Sequence, residues 1–179
     1  ITADARLDNR EDLLAALACP VTSSDDALIL QAYLAWGPDG VARLRGDFAY
    51  VLWDPRERRL ICGRDPFGVR PLYTHHAPGR FIALASEPRA LLALSEVPHR
   101  LNAGRITDFL ITQLEGIDKT STFFEEVFRL PPAHRLIVTP GGSRQERFFS
   151  LQAGPELRLR SDAEYAEAFL EVFTRAVRT

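Results

Sequence analysis

Residues 46–73 read GDFAYVLWDPRERRLICGRDPFGVRPLY, and the fold turns on this stretch. Phe48, Tyr50 and Leu52 alternate with Ala49, Val51 and Trp53. Residues 48–53 are thus apolar on both sets, which predicts a strand covered on both faces. Asp54-Pro55-Arg56-Glu57 is a polar turn in which the proline fixes φ. Leu60-Ile61-Cys62 resumes the strand pattern, an Arg-Asp-Pro-Phe-Gly corner follows, and a third strand leaves it through Leu72 and Tyr73. Gly63 and Gly68 have the spacing of a phosphate loop. However, Val69-Arg70 stand where a lysine and a hydroxyl residue would have to hold phosphate and magnesium. The residues support a structural corner instead, with Gly68 at a positive φ and Arg64 and Asp65 tying the loop to its neighbours.

Upstream, residues 1–5 form a short strand pattern. Asp8 or Asn9 caps a helix, Glu11 completes a capping box with Asp8, and Leu13, Leu14 and Leu17 form the apolar stripe. Cys19-Pro20 ends that helix. Ser23-Ser24 caps a second one, with Leu28, Ile29, Ala32, Tyr33 and Trp36 at helical spacing. Gly37-Pro38 breaks it, and a short turn through Val41 and Leu44 leads to Gly46. Downstream come a strand over 80–85, a short helix over 88–94, a helix over 103–110 and a polar loop over 115–122. Residues 136–139 and 144–149 flank Gly141-Gly142 as a hairpin. Residues 150–160 read as a linker. Ser161 and Glu164 then open a helix with Tyr165, Phe169, Leu170, Phe173 and Val177 on one face. Strands in adjacent hairpins, with helices grouped around them, predict an α+β fold with antiparallel sheets.

A chain of 179 residues holds one full domain. It divides into a domain over 1–150 and a linker with a first helix over 151–179. A net charge of −2 argues against nucleic acid and against an anionic membrane surface as partners. No apolar run approaches the roughly 18–20 residues that span a bilayer, and no signal-peptide pattern opens the chain, so a cytoplasmic protein is expected. The two cysteines, Cys19 and Cys62, have no histidine or basic partner that would make a nucleophile. His75 and His76 point to opposite faces of a strand and cannot chelate together, and no metal site is expected. Asp25-Asp26 complement a helix dipole on the simplest reading, and Asp4 is an ordinary position. The chain has no methionine, opens in mid-strand and closes inside a helical pattern, so both ends read as cut.

The motifs carry a resemblance. Gly46-Asp47-Phe48-Ala49, Trp53-Asp54, the run from Gly63-Arg64-Asp65 to Pro71-Leu72-Tyr73, Ala85-Ser86-Glu87, Phe123-Phe124-Glu125-Glu126-Val127 and Arg129-Leu130-Pro131-Pro132 resemble the class II glutamine amidotransferase domain of glutamine-hydrolysing asparagine synthetases. The resemblance implies an N-terminal-nucleophile hydrolase fold, a four-layer αββα sandwich of two stacked antiparallel sheets, here N-terminally truncated. It implies a terminal cysteine nucleophile whose own amine is the base. It also implies a C-terminal synthetase domain, the partner within the same protein, which would use ATP and magnesium. No cofactor is expected in this domain. A homodimer stays open.

By the same resemblance, glutamine is the family substrate and three positions bind it: Asp25 for the substrate amine, and Asp4 and Ala5 where the family has an Asn-Gly pair in its oxyanion hole. The nucleophile would precede Ile1, so no catalytic residue is expected within these residues, and Asp4 puts an acceptor where a donor is required. The expectation is an amidotransferase-type domain of an asparagine-synthetase-like ligase that, in this form, does not hydrolyse glutamine. Two alternatives stand beside it. One is a degenerate domain retained in an enzyme like the β-lactam synthetases or lasso-peptide cyclases, and the other a non-catalytic packing module.

Overall fold

The computed structural model describes residues 1–111, 114 and 117–178. Five strands form one antiparallel sheet in the order β1-β2-β3-β7-β8, comprising β1 (Thr2–Leu7), β2 (Gly46–Asp54), β3 (Arg59–Arg64), β7 (His134–Thr139) and β8 (Gly142–Arg147). A second antiparallel sheet has the order β5-β4-β6, from β4 (Tyr73–Ala77), β5 (Phe81–Ala85) and the two-residue β6 (Phe128–Arg129). Helices α1 (Arg10–Leu17) and α2 (Asp25–Trp36) cover the outer face of the first sheet, and α3 (Pro88–Leu92) covers that of the second. These are the four layers of the expected sandwich.

Three apolar clusters hold the layers, and the alternation in β2 explains two of them. Phe48, Tyr50 and Leu52 are buried against Leu28, Ile29 and Ala32 of α2, Leu13 of α1 and Ile61 of β3. Ala49 and Val51 face the other way, into the seam between the sheets, with Cys62, Leu72, Leu84 and Leu130. Each large side chain buried this way contributes about 1.5–3 kcal/mol. Trp53 departs from the expected cover. It is 56% exposed, near the end of β2 and outside the cluster that Ala49 and Val51 join between the sheets.

The elements α4 (Ala103–Leu110) and the β7–β8 hairpin fall where the pattern places them. The strand β6 was not legible, since two residues show no period. The first capping box does not form: Asn9 is the cap, but its side chain bridges instead to Arg43 O and Arg45 N, fastening α1 to the entry of β2. The second forms by half: Glu164 N donates to Ser161 Oγ, while Glu164 Oε2 accepts from Arg160 N, one residue before the cap, at the start of α5 (Asp162–Arg178). Its predicted apolar face exists, yet Phe169, Leu170, Phe173 and Val177 are exposed and α5 buries none of its residues. Of the loop expected over 115–122, Glu115 and Gly116 lie outside the described residues, as does Thr179 at the chain's close. Among the described residues no helix is long and apolar enough to cross a membrane.

Candidate functional site

The Arg-Asp-Pro-Phe-Gly corner is a closed hydrogen-bond knot. Asp65 is fully buried. Its Oδ1 accepts from Phe67 N and Val69 N and its Oδ2 from Arg70 N, each at 3.0 Å. Arg64 supplies the complementary donors, with Nε to Arg70 O at 2.7 Å, Nη1 to Leu130 O at 2.8 Å and Nη2 to Gly68 O at 2.6 Å. Burial pulls the Arg64 guanidinium below its ordinary pKa, and the neighbouring Asp65 charge opposes that shift. Gly68 has φ +70°, and a Cβ there would lie 2.7 Å from Pro132 Cγ. Gly63 is needed for another reason: a Cβ would meet the Tyr50 ring at 2.6 Å. The N–H groups a phosphate would use are already taken by Asp65, so the corner does not fit a nucleotide.

The corner aims Arg70 at β1. Arg70 Nη1 lies 3.4 Å from Asp4 Oδ2, across 66 residues of chain. Asp4 stands on the face of β1 that includes Thr2 and Arg6, while Ala3, Ala5 and Leu7 face the helices. A cavity of about 240 Å³ opens beside Asp4 between the two sheets, lined among others by Thr2, Val51, Leu72, Leu84 and Ser86.

The backbone of β1 has a free edge, because among the described residues it pairs only with β2. Leu7 N donates away from β2, to Asp25 Oδ2 at 2.9 Å, while Asp8 N donates towards it, to Arg45 O at 2.8 Å. The two-residue period of a strand then turns the N–H groups of Ala5 and Ala3 to the free edge as well. Ala5 therefore presents a backbone donor in ordinary strand geometry, and no glycine is needed for that.

Asp25 opens α2 and locks β1 to it. Besides Leu7 N it pairs with Arg10 Nη1, and Arg10 Nη2 reaches Val21 O at 3.1 Å and also Ser23 O. A carboxylate has about four acceptor sites, so two remain. Asp4 and Ala5 thus lie on β1, while Asp25, at the start of α2, holds the end of that strand at Leu7, about 10 Å of strand rise from Asp4. Sequence reasoning missed Arg10 and Arg70. Neither has a periodic signal, and only folding brings each to its carboxylate.

Elsewhere the titratable groups are accounted for by packing. His75 is buried, with Nδ1 3.0 Å from Glu126 O and its ring against Phe81. Burial pushes the Cys62 thiol up to about 12, as suits a structural cysteine in the inter-sheet seam. Tyr33 OH donates to the buried Asp54 Oδ2 at 2.6 Å, which, with the N–H groups of Arg56 and Glu57, holds that carboxyl below its usual range.

The profile of the glutamine amidotransferase domain matches residues 8–149. The amidase chry2 of Gibberella zeae is 31% identical over 88% of this chain, which covers 23% of that protein. A putative glutamine-hydrolysing asparagine synthetase of Mycobacterium tuberculosis is 46% identical over 42% of this chain and 12% of its own length. The glutamine phosphoribosylpyrophosphate amidotransferase of Bacillus subtilis superposes with a TM-score of 0.55 at 20% identity, over 83% of this chain and 28% of its own, a likeness of fold. The chain spans about a quarter or less of the length of these curated relatives.

Proposed function

Because this chain belongs to the glutamine amidotransferase domain family, in the branch of the asparagine synthetases, we propose that it is the amidotransferase-type part of an ATP-dependent amide-forming ligase, in a form that does not hydrolyse glutamine. Asp4 carries the second half of this reading. A carboxylate offers only acceptors where the family uses an amide donor, and its charge opposes an oxyanion forming beside it. Loss of one such donor costs on the order of 10²–10³ in rate. Ala5 supplies a backbone donor at the free edge, and Asp25 keeps acceptor sites for an amine, so the position is suited to holding glutamine more than to cleaving it. The C-terminal synthetase partner would be the user of ATP and magnesium, and the cytoplasm the setting.

A second reading is favoured by two exposed apolar faces. Phe109, Leu110, Ile111 and Phe123 lie at α4, and Phe169, Leu170 and Phe173 lie on α5. Apolar patches of this kind support a domain retained for packing against a larger partner, as in ligases that join a carboxylate to an amine of the same molecule. Ammonia release from glutamine by the full-length protein tests the main reading. The expected result is no release above the protein-free rate. Clear glutaminase activity that is abolished by replacing an N-terminal cysteine would overturn it.

A further inference from the structure

We propose that the outer face of the first sheet carries a site for a small phosphate monoester, held between Arg59 of β3 and Arg144 of β8. The site lies apart from the edge of β1 and does not depend on what binds there. Ile61, Ile137 and Arg144 stand in one cross-strand row, and Ile61 and Ile137 belong to the cluster under α1 and α2. Arg59 is two residues from Ile61 and Thr139 two from Ile137, so strand alternation puts both on that same face. A cavity of about 330 Å³ opens there, lined by Arg59, Ile137, Thr139, Arg144 and the Gly141-Gly142 turn among others, and no helix residue lines it.

Arg59 is seated by the protein itself. Its Nε donates to Tyr33 OH at 3.0 Å, its guanidinium carbon lies 5.6 Å from the centre of the Tyr33 ring, and Tyr33 in turn donates to the buried Asp54. That uses one of the five guanidinium N–H groups. The rest meet no acceptor among the described residues. The nearby carboxylates are engaged elsewhere. Asp54 accepts from Tyr33 and from the N–H groups of Arg56 and Glu57, while Glu146 is shared between Arg135 Nη2 at 2.8 Å and Arg144 Nε at 3.1 Å. No acidic residue lines the cavity, although the chain carries a net charge of −2. Two guanidiniums over an apolar floor, the buried Ile137, define the ligand. A carboxylate brings one charge and two oxygens, which a single arginine fork satisfies. A phosphate monoester brings close to two charges and three free oxygens, enough for both forks, and its organic group meets the floor. A volume at the small end of ligand pockets favours a small ester.

The test titrates phenyl phosphate, inorganic phosphate and benzoate into the ¹⁵N-labelled full-length protein at fixed ionic strength. A synthetase partner that uses ATP would bind phosphate by itself, so the readout is local: the amides of Gly141 and Gly142 and the Arg59 Nε–H resonance. Phenyl phosphate is expected to move these signals, at least threefold more tightly bound than inorganic phosphate and at least tenfold more tightly than benzoate. Arg144→Gln, at an exposed strand position, is expected to weaken phenyl phosphate at least tenfold. Arg59→Lys keeps the charge but gives up the fork, and is expected to weaken it at least fivefold; should that variant fail to fold, Arg144→Gln decides alone. Signals that phenyl phosphate leaves unmoved in the parent protein refute the site. Binding within twofold of the parent in the folded variants refutes its assignment to these arginines. Benzoate bound as tightly as phenyl phosphate refutes the phosphate monoester as its ligand.

Discussion

Replacing Asp65 by alanine removes the acceptor on which the whole corner closes. Three backbone N–H groups lose a carboxylate partner at 3.0 Å, and the buried Arg64 guanidinium loses its neighbouring negative charge. Bonds to a charged acceptor are worth about 1.5 kcal/mol each at the low end. Phe67 and Val69 are exposed enough for their N–H groups to recover water, whereas the Arg70 N–H sits deeper. The expected loss is about 3–5 kcal/mol, the range for breaking a buried charged cluster. With a urea m-value of roughly 2 kcal/mol/M, the unfolding midpoint falls by roughly 2 M. Asp65→Asn is the internal control. Its amide oxygen still serves Phe67 and Val69, while its NH₂ opposes only the Arg70 N–H, so roughly half the loss is expected. A loss below about 1 kcal/mol for Asp65→Ala, or equal losses for both variants, would refute the account of the corner.

Two further outcomes follow from the same packing. Gly68→Ala places a non-glycine residue at φ +70° and a methyl against Pro132, so urea unfolding should show a loss of about 2 kcal/mol; a change under about 0.5 kcal/mol would contradict it. Cys62 has its thiol pushed up to about 12 in the folded chain, against about 8.5 unfolded. Its neutral form is common to both states below pH 8.5, so this contribution is full there and is lost as pH rises, by about 1.4 kcal/mol per pH unit until about pH 12. Cys62→Ala should flatten that slope, and at pH 8 a thiol reagent should modify Cys19 while sparing Cys62 until the chain unfolds.

The local elements were legible because each has its own chemical signal. The two-sided alternation of 48–53 specified a strand inside a sandwich, and helical spacing specified α2 and α5, although Ser24 at the start of α2 makes no side-chain capping bond. The corner was legible as a corner, since Gly68 has no side chain to obstruct the turn. What lacked a signal was short or non-local: β6 has two residues, Trp53 lies outside the inter-sheet cluster, and Asn9 forgoes its cap for a partner 36 residues away. The candidate site divides in the same way. The sequence by itself determined which residue types stand at the proposed glutamine positions, including an acidic Asp4 and a non-glycine Ala5. Only the tertiary structure decided what those residues meet. It set Ala5 N–H on a free strand edge, closed Asp25 onto Leu7 and Arg10, and brought Arg70 to Asp4 across 66 residues. Periodicity encodes which face a residue occupies, whereas the partner of a charge at an edge is set by how two sheets stack.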